Sequence, residues 1–224
     1  DRSTSMRGEA LARAKVLCAA AGYLALTGTE RVSLAIAGDE ADSSPADSSP
    51  ADSSRAGPFR GRAAVPAFLR ALDAVQPNGR AALDRAAERL VARGARPGVA
   101  LLVSDLFEEE RALAAARRLA VARYEVTALH VLDARTLDPS ALDGECTLVD
   151  AEDRSELALT VDDEARALYR ARLCAWCEGL ARSFRARGAR YVPAHTTRAP
   201  LSVLAETLTR TALSPARSAP ERAP

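Results

Sequence analysis

The chain opens Asp1-Arg2-Ser3-Thr4-Ser5. One carboxylate and two hydroxyls stand on alternate residues, just ahead of a helical pattern. A turn there gathers three hard oxygen donors at a helix N-terminus. Such donors suit Mg²⁺ or Mn²⁺, which take oxygen ligands and keep several waters. A second carboxylate, Asp105, follows the apolar run 99–103 and Ser104. The carboxyl ends of parallel strands are where open α/β sheets place their functional groups. Asp and Ser are also ordinary cap residues, so either segment alone reads equally well as a helix cap.

These groups meet only if both segments reach one edge of a sheet. Periodicity predicts a helix over 7–27, with Leu11, Ala14, Cys18, Ala21 and Ala25 at helical spacing and Gly28 past its end. Residues 31–37 read as a short strand. Residues 38–57 repeat Ala-Asp-Ser-Ser-Pro without apolar periodicity. Such a segment cannot offset its ordering entropy by burial, and it reads as a disordered surface insertion. An edge strand over 59–64, a helix over 65–75, a turn at Gln76-Pro77-Asn78-Gly79 and a helix over 81–93 follow.

The run 99–103 is continuously apolar, the mark of a strand covered on both faces. The helix over 108–123 starts acidic and ends basic, matching its dipole. Residues 125–132 form another buried strand, and 146–149 with 156–161 a small β pair. The longest helix spans 162–187, capped by Asp162 and stopped by Gly188. A strand over 190–193 and a helix over 200–209 complete one domain, 1–211, before a disordered tail, 212–224. Alternating strands and helices imply an α/β fold. Its sheet is doubly wound and mostly parallel, with right-handed crossovers and helices on both faces.

Composition narrows the function. A chain of 224 residues accommodates one domain. It is 48 % hydrophobic but only 4 % aromatic, so its core is built of small, closely packed residues. Basic and acidic residues nearly cancel, 31 against 30, which argues against nucleic acid as a partner. Lys15 is the only lysine, and the arginine and alanine excess matches GC-rich coding. Four scattered cysteines make no disulfide framework and fit a cytoplasmic setting.

Cys174 and Cys177 fall inside the longest helix, where their spacing makes a packing face. His130 falls within a strand and reads as core, while His195 stands beside Thr196 and Thr197, where it could border a site. The arginines of the long helix read as a solvated face or a surface for an acidic partner. Serine-hydrolase, P-loop and dinucleotide motifs are absent. No run of 18 strongly apolar residues occurs, so no membrane segment is expected here. The run after Met6 imitates a signal peptide, but Glu9 interrupts its basic region and no cleavage site follows.

Asp1, Ser3, Ser5 and Asp105 together resemble the metal-ion-dependent adhesion site of the von Willebrand factor type A fold. In that family an Asp-x-Ser-x-Ser loop follows the first strand, a second loop gives a threonine, and an aspartate follows the fourth strand. The resemblance implies a divalent cation held by Asp1, Ser3, Ser5 and Asp105. The threonine is unmatched. Its loop falls at Asn78-Gly79-Arg80-Ala81, with Ala81 in the hydroxyl position and Arg80 beside it. That departure removes one ligand and brings a guanidinium toward the cation. A functional site and a degenerate one both stay open.

The segments DRSTSMRGEALARAK, GYLAL…ERVSLAI, LLVSDLFEEE, EVTALHVLD, TLVDAEDRSELALTV and RYVPAHTTRAPLSVLAETL resemble the family called domain of unknown function 58. The likeness covers nearly the whole chain outside the insertion and tail. It implies the C-terminal, type A-like half of such proteins, with the first strand lying upstream of Asp1. A membrane anchor upstream stays open as well. It also implies work beside a MoxR-type AAA+ ATPase on a client protein, in assembly or activation, with no known reaction.

The expectation is a non-enzymatic interaction module. Its alternatives are a structural scaffold with a vestigial site and a metal-assisted phosphohydrolase with Asp1 as nucleophile or ligand. For the latter, Lys15 lies far down the first helix, leaving Arg80 to hold phosphoryl oxygens. An α-ammonium at Asp1 would oppose the cation.

Overall fold

The computed structural model describes residues 1–28, 30–38, 55–94, 96–150 and 154–209. The Ala/Leu-rich opening forms α1 (Glu9–Thr27), after a single 3₁₀ turn at Thr4–Met6. A ribbon follows, β1 (Arg31–Ala35) and β2 (Arg55–Arg60), then α2 (Val65–Asp73) and α3 (Leu83–Ala92). The central run becomes β3 (Val99–Ser104), succeeded by α4 (Glu109–Val121), β4 (Glu125–His130) and the short α5 (Ala134–Leu137). A second ribbon, β5 (Gly144–Val149) and β6 (Glu156–Val161), leads into α6 (Asp163–Ala186), β7 (Arg190–Pro193) and α7 (Pro200–Thr209).

Strands β3, β4 and β7 make a parallel sheet in the order β3-β4-β7. Register aligns Ser104 with His130 and His130 with Pro193, so all three strands end in one row. Side chains alternate across the sheet. Leu102, Val126 and Ala128 face α3, α4 and α6, against Ala112, Ala115, Ala116, Leu119, Leu180 and Phe184. Val103, Leu129, Val131 and Val192 face the other way, onto Met6, Ala10, Ala14 and Leu17 of the first segment and Val203 of α7. Helices thus cover both faces. The alanines of α4 let that helix approach the sheet closely, as the small-residue composition predicts.

The mostly parallel sheet is therefore shorter than expected. β1 does not join it but pairs antiparallel with β2. Its burial alternates: Arg31, Ser33 and Ala35 are exposed, while Val32 and Leu34 pack toward Phe68 and Leu72. That is the pattern of a strand covered on one face. The second strand begins at Arg55, not at residue 59, and 62–64 is a 3₁₀ turn. Residues 55–57, assigned to the insertion, are thus strand; 39–54 and the tail beyond 209 lie outside the described residues.

The ribbon β5–β6 is antiparallel as expected. Asp162 caps α6 by accepting from the Ala165 N–H at 2.7 Å, and Gly188 takes the left-handed conformation (φ 72°) just beyond it. Gly28, by contrast, closes α1 with φ −83°. Among the described helices, α1 alone is long and apolar enough to cross a membrane, with a window hydropathy of 1.3 and 33 % of that window buried in the domain. Leu11, Leu17 and Leu26 spend their apolar surface on the core.

Candidate metal centre

The carboxyl edge of the sheet carries the predicted groups. In β3 the Ser104 carbonyl turns toward β4, accepting from the Val131 N–H at 2.8 Å. One residue earlier the Val103 carbonyl turns the opposite way and accepts from the Asp1 nitrogen at 2.9 Å. Asp1 is thereby fixed beside the end of β3, next to Asp105. Its carboxylate is held at both oxygens: Oδ1 accepts from the Ser3 N–H (2.8 Å) and Oδ2 from the Ser104 hydroxyl (2.5 Å). The Ser3 and Ser5 hydroxyls stand 3.0 Å apart. Asp1, Ser3, Ser5 and Asp105 are thus brought together from two chain segments about a hundred residues apart.

Asp105 is only 3 % exposed. Its Oδ1 accepts from the Phe107 N–H at 3.3 Å, while its buried Oδ2 has no hydrogen-bond partner within 3.5 Å. Burial pushes its pKa up. The Ser5 hydroxyl and the Phe107 N–H pull it back. Asp105 is not the cap of α4, which starts four residues later. Instead the loop turns at Leu106, a buried residue with φ 59° whose N–H donates to the Ser104 hydroxyl at 3.0 Å. A branched aliphatic side chain rarely adopts that region, so the loop carries local strain.

The second loop docks where the resemblance puts it. The Gly79 carbonyl accepts from both the N–H (2.8 Å) and the hydroxyl (3.1 Å) of Thr4, and the Asn78 N–H donates to the Arg2 carbonyl at 2.7 Å. Ala81 is buried, and its carbonyl accepts from Arg111 at 3.1 Å. Arg80 departs from the expectation. Its side chain is 62 % exposed and pairs with Glu108 at 2.7 Å, a surface ion pair that occupies the guanidinium expected beside the cation.

Sequence reasoning gave no role to Ser104, which orients Asp1, nor to Thr4, which ties the two loops together. Ser104 is fully buried at a strand end beside an aspartate, and that adjacency is the available signal. The donors gathered here are carboxylates and hydroxyls, a hard oxygen set that fits Mg²⁺ or Mn²⁺. The orphaned Asp105 Oδ2 is the atom that such a cation would satisfy. Among the described residues no three His, Cys, Asp or Glu side chains converge as ligands, so a thiolate or imidazole centre is not built there.

Beyond Asp105 lies an aromatic cluster. His130 is fully buried, its Nδ1 is 2.5 Å from the Tyr191 hydroxyl, and its ring meets Trp176 edge-on at 5.1 Å. Burial lowers its pKa to about 3, helped by His195 and resisted by the Asp105 backbone. It is core, as its place in a strand predicts. His195 is half-buried and 5.9 Å from His130 between ring centres, so it borders the Asp105 side of the sheet edge. Trp176 stacks on Phe107 at 5.6 Å, linking α6 to the Asp105 loop. Cys174 is exposed and Cys177 half-buried, so only the second takes part in packing.

No curated protein and no solved structure matches the chain. One family model does, that of the protein of unknown function DUF58, over residues 2–175. That match takes in the Ser3–Ser5 loop, the loop at Gly79, Asp105 and all of β1 to β6, and the chain belongs to this family.

Proposed function

We propose that this chain is a non-enzymatic protein-interaction module of the DUF58 family, with a divalent cation, Mg²⁺ or Mn²⁺, at Asp1, Ser3, Ser5 and Asp105. The observation that carries the reading is the convergence of these four residues around a buried carboxylate oxygen without a partner. When bound, the cation supplies a Lewis-acidic position open to an oxygen ligand from another protein. Asp1 and Asp105 supply the charge, and Ser3 and Ser5 neutral donors. Ser104 and the Ser3 N–H hold Asp1 in place, and Thr4 holds the second loop against the first.

The resemblance favours a MoxR-type AAA+ ATPase as the partner, acting with this chain on a client protein. A phosphohydrolase reading has less support. It needs a cation aimed at the phosphoryl oxygens, and Arg80 is paired with Glu108 at the surface.

The test is calorimetric titration of Mg²⁺, followed by binding to the cognate ATPase with and without chelator. Saturable Mg²⁺ binding, lost in Asp105→Ala, together with chelator-sensitive ATPase binding is expected. ATPase binding that ignores both the chelator and Asp105→Ala overturns the cation-bridged reading.

A further inference from the structure

The long helix α6 carries two thiols, Cys174 and Cys177, that the cation loops do not use. Packing explains only part of the pair, since Cys174 is exposed and Cys177 half-buried. The Cys174 thiol donates to the exposed Glu178 carboxylate at 3.8 Å, a surface contact that leaves it free to rotate. Three residues apart on a helix, the two Cβ atoms lie about 5–6 Å from each other. A disulfide needs Cβ atoms about 3.5–4.5 Å apart. Closing one here therefore draws the turn in by about 1–2 Å.

The helix is soft at this turn. Gly179 lies in the interior of α6, where glycine weakens a helix relative to alanine. Close packing does not require it: a Cβ there would meet only an Arg182 nitrogen, at 4.0 Å. By the helical pattern its N–H answers the Ala175 carbonyl, between the two cysteines. The backbone bond that must yield on closure is thus one that a glycine already makes easy to break.

Trp176, the single tryptophan of the chain, stands between the cysteines. Its ring stacks on Phe107 with centroids 5.6 Å apart and planes 12° from parallel. The N–H of Phe107 is the donor to Asp105 Oδ1. On the inner side the Cys177 thiol lies against the Tyr191 hydroxyl, which holds Nδ1 of the buried His130 at 2.5 Å. A shift of the 174–177 turn therefore reaches the Asp105 loop directly, through Trp176 and Phe107.

We propose that Cys174 and Cys177 are a reversible dithiol–disulfide pair, and that closing it pulls Trp176 off Phe107 and loosens the Asp105 loop. The oxidant is a peroxide. The exposed Cys174 sulfur attacks one peroxide oxygen, the O–O bond breaks, water leaves and a sulfenic acid forms. The Cys177 sulfur then attacks the Cys174 sulfur and displaces a second water. Two S–H bonds are lost and one S–S bond is gained; the thiols give up two electrons and two protons, and the peroxide takes both. The strain of closing across a helical turn keeps the bond easy to reduce, so a dithiol reverses it. Neither the bond nor its effect on the loop needs the cation.

Hydrogen peroxide is the probe, applied to the whole chain without added metal. Trypsin cuts after Arg172 and Arg182, so residues 173–182 leave as one peptide with both thiols and Trp176. After peroxide and alkylation this peptide should be lighter by two hydrogens and carry no alkyl group; dithiothreitol before alkylation should restore both sites. In the folded chain Trp176 emission should shift, and amide exchange at Phe107 should quicken about tenfold. The exposed-site variant Cys174→Ser should show none of these changes. Two thiols that are still alkylated after peroxide overturn the proposal, as does a peptide that gains oxygen and does not close. A disulfide that leaves emission and exchange unchanged overturns it too, and so does an emission shift that persists in Cys174→Ser.

Discussion

Asp105→Asn separates a ligand from a structural carboxylate. In the wild-type chain, burial raises the Asp105 pKa above the ordinary value of an aspartate. A raised folded-state pKa means that this group stabilises the fold below the unfolded value and loses that contribution as pH rises through the folded one. At neutral pH, without a cation, Asp105 is a buried charge with one oxygen unpaired. Leaving such a group unsatisfied costs about 1–3 kcal/mol. The amide keeps the oxygen that accepts from Phe107 and puts a neutral N–H₂ beside the Ser5 hydroxyl.

The variant should therefore be more stable than the wild type at pH 7 by about 2 kcal/mol, or roughly 4–8 °C in Tm for a domain of this size. The two stabilities should converge as pH falls toward 4. Adding Mg²⁺ reverses the order. At a hundred times its Kd a ligand adds about 2.7 kcal/mol, to the wild type only. Thermal melts of both chains across pH, with Mg²⁺ and with chelator, read all of this. If Asp105→Asn is destabilised at pH 7, or if Mg²⁺ raises both Tm values alike, Asp105 is a structural residue and the site assignment is wrong.

Three further outcomes follow from the structure. Ala81→Thr should restore the missing hydroxyl in the loop that Thr4 holds and tighten Mg²⁺ binding about tenfold; a titration showing no gain removes that loop from the site. A Cβ at Gly22 of α1 would stand 2.3 Å from the Phe68 ring of α2, so Gly22→Ala should destabilise by about 1–3 kcal/mol in urea unfolding, with an unchanged m value. His130 stays neutral in the fold down to a pKa of about 3. Its contribution is present above pH 6.5 and is lost as pH falls, by about 1.4 kcal/mol per unit, down to that value. His130→Gln should move the acid-unfolding midpoint lower, against the opposite trend of Asp105; an unmoved midpoint refutes the assignment.

Helix positions were largely legible, because α2 and α3 carry strong apolar periodicity and α6 has the end signals Asp162 and Gly188. The central strands were legible for the same reason: a run like residues 99–103 has few alternatives. Pairing was not. Nothing in the composition of residues 31–35 states their partner, and the partner, β2, lies beyond a stretch of Ser and Pro that masks its start. The alternation of Arg31, Val32, Ser33 and Leu34 did hold the clue that this strand has one wet face. At the site, spacing located Asp1, Ser3, Ser5 and Asp105. It could not find Ser104 or the Arg80–Glu108 pair, since those depend on how the two loops approach across the sheet edge.

The alanine at 81 changes the proposed centre in a specific way. A threonine hydroxyl is a neutral donor, so its loss subtracts affinity and leaves the charge of the ligand set alone. Asp1 and Asp105 supply the same two negative charges with or without it. A cation there would be more weakly held, yet no less attractive to an anionic oxygen from another protein, and it would have one more position to offer. Cation and partner would then depend on each other more than in a site with a complete ligand set, because each supplies what the other lacks. Such coupling is reciprocal: whatever factor the partner adds to cation affinity, the cation adds to partner affinity. The strained turn at Leu106 and the unpaired oxygen of Asp105 stand at the same loop. They put the local cost of the fold at the place where binding would recover it.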